Sequence, residues 1–182
     1  MKTQRLFLFL LIALTLAITS CRSRTDRTEG TVVLSVTHFN GLPVSVSATS
    51  GPFSIDQVTL RSFFKDPSVN SPTGHQLEGI ELRSYEVTYR RRDTGTRTPP
   101  PTTQAIFGLV EPQGTLDLFN LPFLTTDQIA NQPIKDLINL GRDSETGTAV
   151  ITLDVTMRFF GRTLSGDDIA SEPATFTIEV TR

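Results

Sequence analysis

Residues 148–160 read TAVITLDVTMRFF. Ala149, Ile151, Leu153, Val155, Met157 and Phe159 share one parity, whereas Thr148, Val150, Thr152, Asp154, Thr156 and Arg158 share the other. Side chains alternate across a strand with a period of two, so this spacing predicts a half-buried strand with the first set turned to a core. Residues 174–182 repeat the pattern, with Ala174, Phe176, Ile178 and Val180 inward and Thr175, Thr177, Glu179 and Thr181 outward. The two stretches read as a hairpin with 161–173 as its long tip.

The same alternation runs back toward the N-terminus. Residues 31–37 (TVVLSVT) form a first strand, closed by the turn pair Asn40-Gly41, and Val44 and Val46 share a face within 43–48. Residues 55–64 offer Val58 and Leu60, and the Ser-, Pro-, Asn- and Gly-rich stretch 68–76 reads as loop. Residues 77–91 change phase: Ile80 and Leu82 have one parity, Tyr85, Val87 and Tyr89 the other. One extra residue near Arg83-Ser84, a β-bulge, reconciles them. Pro99-Pro100-Pro101 cannot donate to a ladder and reads as an extended connector before strands at 105–110 and 115–121. From Thr125 the texture alters. Ile129, Ile134, Leu137, Ile138 and Leu140 have helical spacing, with Pro133 at a start and Gly141 past an end, so 133–140 is expected as one short helix.

Seven or eight strands and one helix predict a mainly β chain: an antiparallel two-layer β-sandwich formed by residues 31–182 as a single domain. It resembles immunoglobulin-like domains in architecture only, because one cysteine and no tryptophan rule out their Cys…Trp…Cys hallmark. A lipocalin-like barrel is the competing reading, but it calls for more regular hairpins and no mid-chain helix.

The first five residues carry Lys2 and Arg5 and no acid, and residues 6–18 are hydrocarbon apart from Thr15. As a helix this stretch spans roughly 20 Å, short of the about 30 Å of a bilayer's hydrocarbon core. A basic start, a short apolar run and small residues after it describe an export signal over 1–20. Ile18-Thr19-Ser20-Cys21 then resembles a lipobox, the tetrapeptide of bacterial lipoproteins. That resemblance covers residues 1–21. It implies cleavage before Cys21, diacylglyceryl on the Cys21 sulfur and acylation of the new N-terminus, which together anchor the chain to a membrane. Cys21 is the one cysteine in the protein, so no internal disulfide competes for it. Residues 22–30 (RSRTDRTEG) are polar without apolar period, and 21–30 is expected as a lipidated flexible tether. Arg22 is not the Asp that resembles an inner-membrane retention signal, so the resemblance points to the outer membrane of a two-membrane bacterium.

Without residues 1–20 the chain loses two positive charges and becomes more acidic than its net −2, the opposite of a nucleic-acid binder. For catalysis and metals the sequence is sparse. His38 at a strand end and His75 in a loop sit in no HExxH or GxSxG setting, and surface imidazoles account for both. Asp143-Ser144-Glu145-Thr146-Gly147 and Asp167-Asp168 offer calcium-type oxygens, but without EF-hand spacing, and solvated turn residues are the simpler account. Arg90-Arg91-Arg92, with Arg83 and Arg97, is the one basic concentration. Contact with headgroups or an acidic partner is its functional reading, and a strand end solvating both faces is the plainer one. Phe63-Phe64 and Phe159-Phe160 each put one aromatic on either strand face. The expectation is therefore a non-enzymatic, lipid-anchored envelope protein with no cofactor and no catalytic or metal residue. Its sandwich is structural or binds an envelope protein. The alternative is a ligand-binding lipoprotein taking calcium, a glycan or a small apolar molecule.

Overall fold

Alternating Val, Ile, Thr and Phe give nine strands among the described residues, which in this computed structural model are 30–66, 68 and 74–182. The expected signal segment, Cys21, residues 22–29 of the tether and residues 69–73 of the 68–76 loop lie outside them. The strands are β1 (Val32–Asn40), β2 (Ser45–Ser47), β3 (Phe53–Phe64), β4 (Ile80–Arg91), β5 (Thr102–Val110), β6 (Thr115–Leu124), β7 (Val150–Thr163), β8 (Asp168–Ala170) and β9 (Ala174–Thr181). Two helices, α1 (Thr126–Ile129) and α2 (Ile134–Leu140), lie between β6 and β7. The chain is thus mainly β, with two sheets and a few short helical turns.

One sheet has the order β1-β3-β6, the other β2-β9-β7-β4-β5, with β8 pairing β7. All pairings are antiparallel except β2 with β9, where Val46 stands beside Val180. The all-antiparallel expectation fails at this three-residue strand, whose pairing links residues far apart in the chain. The longest ladder joins β4 to β7, from Ile80↔Thr163 to Arg91↔Leu153. Ile151, Leu153, Val155, Met157 and Phe159 are all fully buried, as their parity requires; Ala149 is exposed, because β7 starts only at Val150. The register of β4 shifts between Leu82 and Ser84 against both neighbours. Against β7 Arg83 is the extra residue, and it brings Ile80, Leu82, Tyr85 and Val87 to the same buried face, whereas against β5 the extra residue lies on β5 between Ala105 and Gly108.

The two sheets share one core. Its polar ties are the two tyrosines of the chain, both on β4. The Tyr85 hydroxyl lies 2.9 Å from the Pro122 carbonyl and 3.0 Å from Gln104 Oε1, and the Tyr89 hydroxyl donates to the Phe123 carbonyl. Pro122 and Phe123 belong to β6, so both tyrosines cross from one sheet to the other. Burial pushes the Tyr85 phenol up to about 12, and burial together with Tyr85 pushes Tyr89 higher still. Both therefore stay protonated donors at ordinary pH, as buried hydroxyls must if their acceptors are to be met.

Four sequence expectations need correction. The strand at 31–37 continues to Asn40, because a bulge between Val36 and His38 lets pairing with β3 resume. The 105–110 strand starts earlier, at Thr102. The helix expected at 133–140 is present as α2, from Ile134 with Gly141 as its left-handed cap (φ 71°), but it is not the one helix: α1 precedes it, opened by a capping box between Thr125 and Gln128. The tip 161–173 is not all loop, since β7 reaches Thr163 and β8 folds back onto Phe160–Arg162.

The core reading has a direct check in chemical unfolding. Phe159→Ala empties a fully buried site on β7 and is expected to cost about 3–5 kcal/mol. Phe160→Ala, one residue on and facing outward beside Arg158, is expected to cost less than about 1 kcal/mol. Equal losses for the two would contradict the register.

Candidate functional site

Arg91 ends β4 with the parity of Tyr85, Val87 and Tyr89, opposite Leu153 on β7. That parity carries it inward, and its side chain is 2% exposed. A guanidinium taken out of water needs partners for its fork of N–H groups. Asp93, two residues on, supplies a bidentate pair: Nε to Oδ1 at 2.6 Å and Nη2 to Oδ2 at 2.8 Å. Asp143 Oδ2 accepts from Nη2 at 3.0 Å, and its side chain is 1% exposed. Nη1 reaches the Arg97 carbonyl at 3.4 Å.

The carboxylates in turn hold backbone. Asp93 accepts from the N–H of Gly95 (3.0 Å) and Thr152 (3.2 Å), and Asp143 accepts from Thr146 N (3.0 Å) and Oγ1 (2.7 Å). Glu145 accepts from Thr96 N at 2.8 Å and Arg97 N at 3.0 Å. Loops 92–101 and 141–149, far apart in sequence, are thus braced against each other. Burial works against ionising Asp93, but the hydrogen bonds from Arg91, Gly95 and Thr152 outweigh it and hold the carboxyl below its ordinary value. Burial likewise opposes ionisation of Asp143, and bonds from Thr146 and Arg91 overcome it. For Arg91, burial is outweighed by the two aspartates, and its pKa rises. All three are charged at neutral pH. Among the described residues, Asp143 Oδ1 is buried without a partner.

Beside this brace the 93–101 loop and the α1–α2 corner border an open cleft of about 600 Å3, lined by Arg97, Thr98, Asn131, Gln132, Lys135 and Asp136 among others. Arg97 Nη1 donates to Gln132 Oε1 at 2.9 Å. Gln132 Nε2 approaches Asp136 Oδ1 at 3.4 Å, and the Ser144 hydroxyl donates to Asp136 Oδ2.

The structure joins two stretches that the sequence offers separately. Arg90-Arg91-Arg92 is not a run solvated on both faces: Arg91 is buried, while Arg90 pairs with Asp154 at 2.9 Å and Arg92 bonds Thr177 Oγ1 at 3.1 Å on the outer face. Asp143 is not a solvated turn residue but the partner of Arg91. The clue in the sequence is the parity of Arg91 itself, which follows Tyr85, Val87 and Tyr89. Asp167 and Asp168 lie apart from this end, at the β7–β8 turn, with Asp168 opposite Arg162. His38 pairs with Thr59 within β1–β3, and His75 packs on Phe64 with ring centroids 5.0 Å apart at the other end of that ladder. Among the described residues no three His, Cys, Asp or Glu side chains gather as a metal-holding group. Phe63 and Phe160 face outward beneath Arg61 and Arg158, and Phe64 and Phe159 face inward.

No protein-family model and no curated protein matches the chain. Among solved structures it is similar to the solution structure of a protein described as late embryogenesis abundant (LEA). The identity is 14% and the TM-score 0.43, with 100% of this chain and 86% of that one covered. A likeness this distant bears on neither the details of the fold nor the function.

Two measurements test the brace. Arg91→Ala leaves Asp93 and Asp143 without their cation and is expected to cost about 3–5 kcal/mol in urea unfolding at neutral pH. Arg90→Ala, at a side chain 82% exposed, is expected to cost less than about 1 kcal/mol. Because folding depresses both aspartates, the unfolded chain binds more protons. Their stabilisation is full above the unfolded value of 3.8 and is lost as pH falls through the lower folded values. Asp143→Asn, with one such carboxylate fewer, is therefore expected to flatten the fall in stability below about pH 4. An unchanged acid slope would remove Asp143 from the pair.

Proposed function

We propose that this chain is a lipid-anchored protein of the bacterial envelope whose non-enzymatic domain, a mostly antiparallel sandwich of immunoglobulin-like kind, binds an extended segment of another envelope protein. The anchor is diacylglyceryl on Cys21, and residues 22–29 are the tether. The reading rests first on Ile18-Thr19-Ser20-Cys21 behind a basic start and a short apolar run. Arg22 after the cysteine favours the outer membrane.

Support for a protein partner comes from β5. It pairs on one side only, with β4, and so carries an open edge of backbone groups. Natural sheet edges are usually blunted by charge, proline or bulges, and of these β5 has only an extra residue against β4 between Ala105 and Gly108. Residues 102–110 (TTQAIFGLV) contain no charge and no proline, and Phe107 is 86% exposed and Leu109 41%. An uncharged edge of nine residues suits strand addition, in which main-chain bonds give affinity and alternate side chains give selectivity.

The anchor is tested by labelling cells with a radiolabelled or alkynyl fatty acid. The wild-type chain should take up label and sediment with membranes, and Cys21→Ala should do neither. Label retained by Cys21→Ala would overturn the lipid assignment. For the edge, a photo-crosslinking residue at position 107 is expected to form one discrete adduct in cells, and the same residue at exposed position 179 on β9 none. No adduct at 107, or matching adducts at both positions, would overturn the partner reading.

A further inference from the structure

At the pole where Ile80 meets Thr163, three leucines are open to solvent. Leu77 is 64% exposed, Leu164 51% and Leu109 41%. Leu77 stands in the short helical turn Gln76–Glu78, Leu164 opens the turn between β7 and β8, and Leu109 is the last residue but one of β5. They form one surface. The Leu164 N–H donates to the Gly79 carbonyl at 2.9 Å and the Ser165 N–H to the Leu77 carbonyl at 2.8 Å, so backbone bonds join the two turns. A Cβ built on Gly79 would lie 3.4 Å from Leu164 Cδ1 and 3.5 Å from Leu109 Cδ1, which brings both leucine ends to the same glycine. Exposed apolar side chains gathered in one place mark a protein or membrane contact. Because the turns are already tied, occupation of this one has little ordering cost to meet.

The neighbours of the patch decide its occupant. The N-terminal run enters the domain here. Thr31 Oγ1 donates to Glu78, the chain neighbour of Leu77, and a Cβ at Gly30 would lie 3.9 Å from Asp167 Cβ, in the turn that Leu164 opens. Nine residue steps separate Gly30 from Cys21, at most about 32 Å of extended chain. With lipid on Cys21 as proposed above, the leucines stay close to the bilayer, and a tether this short holds them there at an effective concentration on the order of millimolar. A contact too weak to recruit a free protein is then kept. Charge is not the attraction. Glu78 adjoins Leu77, and Glu81, opposite Leu109 and beside Arg162 in the ladders, meets Arg83 at 3.7 Å, so charges of both signs border the patch. What remains is the affinity of aliphatic side chains for the boundary of the hydrocarbon.

We infer that Leu77, Leu109 and Leu164 seat this pole in the interface of the bilayer that carries Cys21. The seating rests on the anchor proposed for Cys21 and not on a partner at β5. The test uses the full chain, expressed in bacteria, purified in detergent and reconstituted in phosphatidylcholine vesicles containing a doxyl-labelled phosphatidylcholine. A fluorophore is attached through Ser165→Cys, beside the leucines, or through Ala149→Cys, exposed near the opposite pole. Flotation with the vesicles reports the anchor by itself. The label at 165 is expected to be quenched by the doxyl lipid in low and high salt alike, and the label at 149 to stay unquenched. Leu77→Ser combined with Leu164→Ser, both at exposed positions, should leave flotation unchanged and bring quenching at 165 down to the level at 149. A chain that does not float overturns the anchor and the seating with it. A floating chain overturns the seating alone if its label at 165 is quenched no more than at 149, is unmoved by the double substitution, loses its quenching in high salt, or reports a second copy by energy transfer without lipid contact.

Discussion

Side chains alternate along a strand, so a slip of one residue between β4 and β7 would turn Leu153, Val155, Met157 and Phe159 to water and bring Thr152, Asp154 and Thr156 inside. Nothing else in the molecule tolerates that exchange. β7 carries β9 and β8 on its other side, and β4 carries β5, so one register sets the facing of five strands. The Arg83 bulge belongs to the same constraint. Without the extra residue Ile80 and Leu82 would face opposite to Tyr85, Val87 and Tyr89, and one of the two sets would leave the core. The fully buried Arg91 extends the constraint to the loops, because at that parity its charge has to be met from inside the protein.

Much of this is legible without coordinates, for a physical reason. Alternation is a local property, so 148–160, 174–182, 55–64 and 77–91 announce themselves as strands, and the phase change at Arg83-Ser84 announces its own bulge. The short helix after Pro133 is legible from spacing and caps. What local pattern does not carry is partnership. Ser45–Ser47 is too short to show its parallel pairing with β9, and β8 is hidden in a polar tip because only Ile169 of its three residues is deeply buried. β5 and β6 flank one turn yet lie in different sheets, which no periodicity distinguishes.

The candidate site is less legible, and again for a reason of distance. Arg91 and Asp143 are 52 positions apart, and each has an ordinary explanation where it stands: a basic strand end and an acidic turn. Only parity hints that Arg91 points inward, and only the fold brings Asp143 to it. The cleft is harder still, because Arg97 and Lys135 sit on separate elements and neither belongs to a motif. In contrast, the resemblance of Ile18-Thr19-Ser20-Cys21 to a lipobox is wholly local and can be read residue by residue.

Gly30 carries the geometry one step further. It is buried, not part of a loose tether, and a Cβ built there would lie 2.6 Å from Ile169 Cδ1 on β8. Thr31 next to it bonds Glu78, and its carbonyl accepts from Lys65 N. The chain therefore enters the domain at the end of the β4–β7 ladder where Ile80 meets Thr163, while Arg91, Asp143 and the cleft occupy the end where Arg91 meets Leu153. The stretch of β7 from Leu153 to Thr163 separates these poles by roughly 33 Å at the rise of an extended strand. Whatever the residues before Gly30 are joined to therefore lies at the pole opposite Arg91, Asp143 and the cleft.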